Sequence, residues 1–178
     1  MKALFKFIVK LRKFFEPLTW RLFKVRNWKD LPDLMKWDDL KVLNPTSFSQ
    51  KINTLDYKWD PIKGLLDHSF PLDCPEYFFK DLPSGRDCDD WARIWVCYYL
   101  YKHYSVEEWI VTTKNHPFTN SHFVAVVKDT GGYRLLNYRR SNKAYLTVEE
   151  ALDELSTWNN GEYKKENRLQ CLYRRYEA

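Results

Sequence analysis

The sequence has little glycine and no long hydrophobic run. Only 5 of its 178 residues are Gly, while 44% are hydrophobic and 17% are aromatic, which excludes a disordered, collagen-like or low-complexity chain. Mean hydropathy is −0.61, and no apolar stretch approaches the roughly 18 residues that a transmembrane helix needs. A chain of this length suits one compact domain, and it can bury a core without disulfides or metals.

The sequence also lacks a cysteine pattern. Its four cysteines are Cys74, Cys88, Cys97 and Cys171, and they form no recognisable disulfide framework, no C-x-x-C pair and no zinc-ligand spacing. The N-terminal segment lacks the small-residue cleavage site of a signal peptide. We therefore expect a cytoplasmic protein with reduced thiols and with neither metal nor organic cofactor. In that setting a single cysteine is free to act as a nucleophile.

Positive charge is concentrated at the N-terminus. Residues 1–29 contain nine Lys and Arg against one acid, Glu16, although the whole chain carries only +5. Within this segment, residues 3–15 have apolar side chains at helical spacing with basic residues between them, and Pro17 interrupts the pattern. This predicts an amphipathic helix, which either packs on the domain's own core or contacts an anionic membrane surface or a partner protein. No nucleic-acid-binding module is recognisable, so nucleic acid is not an expected partner.

Residues 30–178 are expected to form the main domain, with its core at about 80–158. Prolines and aromatic residues alternate up to residue 75, which predicts short helices and loops. The sequence then predicts a helix that begins at Cys88, after the turn in DLPSGRD, and three strands joined in part by a hairpin. The predicted strands are Trp109–Lys114, His122–Lys128 and Tyr133–Arg139.

Two further elements follow the hairpin in the prediction. Thr147 and Glu150 form a capping box before a helix that runs to about Leu155. The segment Asn167–Tyr176 is a candidate edge strand. Together these elements indicate an α+β fold, with one helix packed on an antiparallel sheet and a helical N-terminal extension.

Cys88 is the leading candidate nucleophile. It follows a turn and opens a helix, so backbone N–H groups and the helix dipole lie beside its sulfur. Both favour thiolate over thiol, and the same N–H groups are suited to hold the oxyanion of a tetrahedral intermediate. The other cysteines lack this setting, and Cys97 is expected to be inert core.

A thiolate nucleophile needs an acid/base partner, and the predicted hairpin supplies one. If Thr130 and Gly131 form a two-residue loop, His122 and Asn137 point to one face of the sheet as diagonal neighbours. A carboxamide oxygen that accepts from the imidazole would fix its tautomer and orientation. His116, in a loop, is the competing base, and an Asp67–His68 pair more often lies at a surface without catalytic use.

The order of these residues resembles a known family. Ser84–Ala92 (SGRDCDDWA), Ser121–Val126 (SHFVAV) and Leu135–Asn137 (LLN) resemble motifs of the transglutaminase-like superfamily of papain-fold cysteine enzymes. They are most similar to the small bacterial and phage transglutaminase-like cysteine peptidases. The resemblance covers about residues 80–140 and implies that Cys88 is the nucleophile, His122 the general base and Asn137 the orienting residue.

Two positions depart from the family pattern. Arg86 stands where the family usually has Gly, which would alter the turn or narrow access to the sulfur. Asn137 stands where Asp is more common, and a neutral orienting group stabilises imidazolium less than a carboxylate does.

The sequence therefore predicts acyl transfer or hydrolysis on a peptide or Gln side-chain amide through a Cys88 thioester, as in a protease, deamidase or transglutaminase. The alternative is an inactive binding module with this fold that uses its basic N-terminus to contact a membrane or a partner.

Overall fold

A computed structural model describes residues 2–20, 28–57, 69–82, 86–116, 121–157 and 161–178. This part of the chain contains five α-helices: α1 Lys2–Thr19, α2 Trp37–Leu40, α3 Pro45–Ile52, α4 Cys88–Tyr101 and α5 Val148–Asp153. Its four strands are β1 Val106–Thr113, β2 His122–Asp129, β3 Gly132–Leu136 and β4 Arg168–Tyr176. Short 3₁₀ turns occupy Trp28–Asp30, Pro75–Phe79 and Glu154–Thr157.

The four strands form one antiparallel sheet in the order β3-β2-β1-β4. The central strand β2 is buried without interruption from Phe123 to Val127. Helix α4 covers one face of this strand. On the other face, side chains of α5 and β3 pack against it in a second apolar cluster. β4 lies at the edge, as predicted. A helix packed on an antiparallel sheet confirms the α+β class.

The β2–β3 hairpin has the register that the sequence predicts. Asp129 faces Gly132, and the ladder continues to the pair Ala125 and Leu136. β3 is shorter than predicted because the chain turns after Leu136: the Asn137 N–H donates to the Arg139 carbonyl at 3.2 Å. Asn137 therefore lies just beyond the last ladder pair, with its side chain fixed by other contacts.

Helix α4 is the most deeply buried helix in the described ranges. The apolar spacing in the sequence predicts one buried face on this helix, formed by Trp91, Ile94, Trp95, Tyr98 and Tyr101. The structure instead buries every residue from Cys88 to Tyr99 and leaves Tyr101 exposed. The reason is that aromatic residues of α3 and of the Pro75–Phe79 turn enclose the side of α4 that faces away from the sheet, as when Phe48 stacks on Tyr98 at 4.1 Å. Because α4 is packed on all sides, its first residue, Cys88, has a fixed position.

Helix α1 continues past the position where it was predicted to break. Pro17 lies in its last turn, so the missing N–H costs one hydrogen bond and the helix ends two residues later. The inner face of α1 is buried through Phe5, Val9, Arg12 and Glu16, and it packs against β4. No helix in the described ranges is long and apolar enough to cross a membrane.

Helix α5 begins as the sequence predicts. The Thr147 hydroxyl accepts a hydrogen bond from the Glu150 N–H at 3.2 Å, and the Glu150 carboxylate accepts from the Leu146 N–H at 2.9 Å. Each side chain thus satisfies a backbone donor that the helix leaves free. The regular helix ends at Asp153 and continues as a 3₁₀ turn to Thr157, slightly beyond the predicted end.

Candidate active site

Cys88 is the first residue of α4. Asp87 is the N-cap, and its carboxylate accepts from the Asp89 N–H at 3.3 Å. The Cys88 side chain is 6% exposed and belongs to an apolar cluster that includes Phe123 of β2 and Phe5 of α1. The thiol therefore lies at the positive end of the helix dipole, between the sheet and the N-terminal helix.

Arg86 anchors the turn that precedes Cys88. It is buried, it donates to the main-chain carbonyls of Phe78 and Lys80, and its guanidinium lies 5.6 Å from the centre of the Phe78 ring. The side chain that replaces the usual glycine thus joins the turn to the Pro75–Phe79 segment. Ser84 and Gly85 of the predicted motif lie outside the described residues.

His122 and Asn137 are in direct contact. The Asn137 Nδ2 atom lies 2.9 Å from the His122 Nε2 atom, which confirms the side-chain proximity predicted from the hairpin register. Asn137 is fully buried, and its Oδ1 atom has no hydrogen-bond partner within the described part of the chain. Within the described residues, the Asn137 side chain makes its hydrogen bond to the His122 imidazole. Most buried polar side chains in proteins bond to the backbone or to water instead.

The His122 imidazole is held in its neutral form. Burial lowers the pKa of His122 to about 4, although the hydrogen bond from Asn137 acts in the opposite direction. A neutral imidazole carries one N–H and one lone pair. In the observed geometry the Asn137 Nδ2 group donates to the Nε2 lone pair, which places the ring hydrogen on Nδ1. A carboxamide rotated by 180° would instead accept from an Nε2–H through Oδ1 and leave the Nδ1 lone pair free to take a proton from a thiol.

Two tyrosines lie beside His122. The ring centres of Tyr138 and Tyr163 each lie 6.0 Å from that of His122. Burial raises the pKa of the Tyr138 phenol, and the charge of a Cys88 thiolate would raise it further. Burial, Glu162 and Cys88 raise the pKa of Tyr163 in the same direction. Both phenols therefore lie beside the candidate base and within electrostatic range of the candidate nucleophile.

A cavity of about 580 Å³ adjoins this group. Its lining consists of Asn53, Leu55, Tyr57, Trp91, Tyr138, Arg139 and Thr157. Tyr138 lines the cavity and also lies beside the His122 ring. Trp91 lies one turn of α4 beyond Cys88. The volume is in the range of small-molecule and side-chain sites, and its lining combines aromatic rings with a few polar groups.

Three buried carboxylates lie next to Cys88 in the sequence. Asp87, Asp89 and Asp90 each offer an oxygen within 4.8 Å of the others, and oxygen ligands of this kind suit hard cations. One of them is already paired, because Arg12 of α1 lies 3.1 Å from Asp89. The run D-C-D-D at residues 87–90, in a first helical turn, is the sign of this cluster in the sequence.

The remaining candidates lie elsewhere. His116 is exposed, and its carbonyl accepts from the Thr112 hydroxyl at 3.0 Å. Cys97 is buried as predicted, and burial raises its pKa to about 12. Burial also raises the pKa values of Cys74 and Cys171. None of the four cysteines forms a disulfide, and the Asp67–His68 pair lies outside the described residues.

Sequence reasoning missed Trp95 as a contributor to the site. Its indole N–H donates to the main-chain carbonyl of Asn137 at 2.7 Å. Trp95 was predicted only as part of a buried helix face, because a donor to a distant carbonyl leaves no pattern in the sequence. This bond links the helix of Cys88 to the strand end that carries Asn137.

A buried ion network fixes α1 to α4 and the sheet. Arg93 donates to both carboxylate oxygens of Glu108, at 2.7 and 3.2 Å, and to Glu16 of α1 at 2.9 Å. Tyr173 also donates to Glu16, at 2.8 Å, and Arg174 pairs with it. The N-terminal helix is thus attached to the candidate catalytic helix by charge as well as by packing.

Comparison with known proteins gives distant structural matches. No family model matches the sequence, and no curated protein matches it significantly. A structure of Legionella pneumophila LapG has 21% identity over 75% of this chain and 70% of that chain, with a TM-score of 0.36. A second structure, of EGTA-treated Legionella pneumophila LapG, has 19% identity over 84% and 77% of the two chains, with a TM-score of 0.37. Likeness at this level does not indicate function.

Proposed function

We propose that this protein is a cysteine-dependent enzyme of the transglutaminase-like type, with Cys88 as nucleophile, His122 as general acid/base and Asn137 as orienting residue. The observation that carries the proposal is the contact between Asn137 and His122. A fully buried carboxamide 2.9 Å from an imidazole nitrogen is what a nucleophile–base–orienter set requires of its third member. The resemblance of the sequence motifs supports the same assignment.

The proposed reaction begins with proton transfer from the Cys88 thiol to His122. The thiolate attacks the carbonyl carbon of an amide, so that a C–S bond forms and the carbonyl electron pair moves to oxygen, near the first-turn N–H groups of α4. When the intermediate collapses, the C–N bond breaks and His122 gives its proton to the leaving amine. Cys88 is left as a thioester.

Release of the acyl group completes the cycle. His122 removes a proton from an incoming nucleophile, which attacks the thioester and expels the Cys88 thiolate. Water as the nucleophile gives peptide hydrolysis or Gln deamidation, whereas an amine gives a cross-link. The proposed substrate is a peptide or a Gln side-chain amide that reaches the site from the cavity lined by Trp91 and Tyr138.

Alkylation by iodoacetamide tests this proposal without a known substrate. Mass spectrometry after short exposure near neutral pH would measure the rate at each cysteine. We expect Cys88 to react fastest, and His122→Ala to slow it by about 100-fold, the lower end of general-base effects. Cys74, Cys97 and Cys171 are internal controls, because burial raises the pKa of each. Equal rates at all accessible cysteines, unchanged in His122→Ala, would contradict the proposal.

The second candidate function is a binding module that keeps the fold without the chemistry. The observation that favours it is the outer side of α1, where large apolar residues such as Phe7 and Phe14 are exposed. A module of this kind would show slow alkylation of Cys88 while retaining whatever binding α1 provides. The two functions are compatible in one chain, and the alkylation experiment separates them.

A further inference from the structure

The exposed apolar residues of this protein are concentrated on one helix. Nine large hydrophobic side chains are exposed in the described ranges, and five of them belong to α1. The five are Leu4 (52% exposed), Phe7 (56%), Phe14 (77%), Phe15 (39%) and Leu18 (52%). Single exposed apolar residues need no explanation, but a contiguous group on one element marks an interaction surface.

These residues form a stripe on the side of α1 that faces away from the protein. Leu4, Phe7, Leu11, Phe14 and Leu18 follow one another at intervals of three and four, which places them on one face of a helix. We call this stripe, together with Phe15, the outer face of α1. The inner face, defined by Phe5, Val9, Arg12 and Glu16, is buried.

The inner face holds the helix in a fixed rotation. Arg12 pairs with Asp89 at 3.1 Å, and Glu16 pairs with Arg93 at 2.9 Å. Both contacts are buried, so turning α1 to hide its outer face would break two buried ion pairs, which is costly inside a protein. The outer face is therefore presented to the surroundings in the folded chain.

The charge beside the outer face has one sign. Lys2, Lys6 and Lys10 are exposed. At about 100° per residue, Lys10 lies on one flank of the stripe and Lys6 lies one step further round the helix, whereas Lys2 lies nearly opposite the stripe. The helix has one acid, Glu16, and it is buried in the network with Arg93. The surface of α1 thus combines exposed phenylalanines and leucines with net positive charge, of which Lys2 and Lys6 share a cavity with Glu149 of α5.

We propose that the outer face of α1 binds the surface of an anionic lipid bilayer, with the helix lying in the plane of the interface. Apolar side chains enter the boundary between headgroups and acyl chains, while the flanking lysines contact anionic headgroups. A protein partner would need complementary shape, whereas a bilayer accepts any apolar stripe with a cationic border. The proposal is independent of the chemistry at Cys88.

Binding in this way would bring the candidate active site close to the membrane. The bilayer contacts one side of α1, and Asp89 contacts Arg12 on the other side. A helix with its side chains is about 10–12 Å across. The first turn of α4 would therefore be about one helix diameter from the lipid, so that substrates near the membrane surface would reach it most readily.

Vesicle co-sedimentation tests the proposal on the full chain. One set of vesicles contains phosphatidylcholine alone, and the other contains phosphatidylglycerol as one lipid in three. We expect binding to the anionic vesicles only, and we expect it to weaken between about 0.01 and 1 M salt as the Debye length falls from about 30 to 3 Å. Absence of binding to the anionic vesicles would overturn the proposal.

Two pairs of variants locate the contact. Phe7→Ser/Phe14→Ser removes apolar area from the outer face, and Leu34→Ser/Leu146→Ser removes exposed area elsewhere. We expect at least a tenfold loss of affinity in the first and no change in the second, since burial of one phenylalanine contributes about 1.5–3 kcal/mol in full. Equal affinity of the two variants would contradict the proposal.

Charge variants complete the test. Lys6→Gln/Lys10→Gln should weaken binding by about 30-fold, as follows from about 1 kcal/mol per lysine near an anionic surface. Lys36→Gln/Lys51→Gln changes the net charge equally at exposed sites on other segments and should bind like the parent chain. If light scattering instead shows a dimer that Phe7→Ser/Phe14→Ser dissociates, and vesicles are not bound, the outer face joins two copies and the proposal is wrong.

Discussion

Trp95 of α4 and Asn137 at the end of β3 are joined by one buried hydrogen bond. The indole N–H donates to the Asn137 main-chain carbonyl at 2.7 Å, while the Asn137 side chain contacts His122. Cys88 opens the same helix that carries Trp95. The candidate nucleophile and the residue that orients the candidate base are thus fixed relative to each other by a contact 42 residues apart in sequence.

Trp95→Phe should break the hydrogen bond between Trp95 and Asn137 while keeping an aromatic ring at that position. The Asn137 carbonyl would lose a buried donor, which typically costs about 1–3 kcal/mol. We expect a lower unfolding temperature and, because Asn137 is then less firmly placed, a slower alkylation of Cys88 at neutral pH. Thermal unfolding and the iodoacetamide rate measure the two effects.

Trp91→Phe is the matched control for that experiment. Trp91 lies on the same helix and is as deeply buried, but its indole nitrogen has no hydrogen-bond partner in the part of the chain that is described. It should therefore lose less stability than Trp95→Phe. Equal losses in the two variants would show that the bond to Asn137 has no special role.

His122 should titrate well below an ordinary histidine. Burial lowers its pKa to about 4, from a usual value near 6.5. Because the unfolded chain binds the proton more readily, this histidine's contribution to stability is complete above about pH 6.5 and is lost as the pH falls towards 4. NMR of the imidazole C–H signals against pH measures the value directly.

Two variants of Asn137 test how this residue affects the pKa of His122. Asn137→Asp places a carboxylate beside the ring and should raise the pKa of His122, because negative charge favours imidazolium. Asn137→Ala removes a hydrogen bond that raises the pKa, so it should lower it. A parent His122 that titrates near 6.5, or that does not respond to Asn137→Asp, would show that the ring is neither buried nor oriented as described.

The hairpin was predictable because its signals are local. Asp129 and Gly132 mark a tight turn, and once the turn is placed, the alternation of side chains fixes the register along both strands. That register brings His122 and Asn137 to the same end of the hairpin, and the turn after Leu136 and the bond from Trp95 complete the placement of Asn137. The helix that begins at Cys88 was predictable for a similar reason, since a turn, first-turn acids and helical periodicity all agree.

Other features depend on contacts that a sequence does not display. Pro17 was expected to interrupt the helical pattern, but α1 continues to Thr19, and Glu16 beside Pro17 is held by Arg93 and Arg174. The role of Arg86 depends on two carbonyls of a distant turn. The basic N-terminal residues were treated as one charged surface, whereas the structure separates them: Arg12 is buried against Asp89, and Lys6 and Lys10 remain exposed.

Glu16 should be essential for stability. Burial alone would raise its pKa, but Arg93 and Arg174 reverse the shift and lower it. Glu16→Ala removes the carboxylate and leaves the buried Arg93 with one acidic partner fewer. Breaking a buried ion pair from one side typically costs about 3–5 kcal/mol. Urea denaturation of the full chain would measure the loss, and Glu149→Ala, which removes an exposed carboxylate 3.8 Å from Arg168 and leaves the 2.7 Å pair of Arg168 with Asp153, is the control and should cost less than about 1 kcal/mol.

The lowered pKa of Glu16 also predicts how the stability of the protein depends on pH in the acidic range. A carboxylate whose folded pKa is lowered stabilises the protein above its ordinary pKa of about 4.5 and loses that contribution as the pH falls below it. The parent chain should therefore lose stability below about pH 4.5 more steeply than Glu16→Gln, which cannot titrate there. Parallel stability curves for the two proteins across that pH range would mean that Glu16 is not ionised against Arg93 in the folded state.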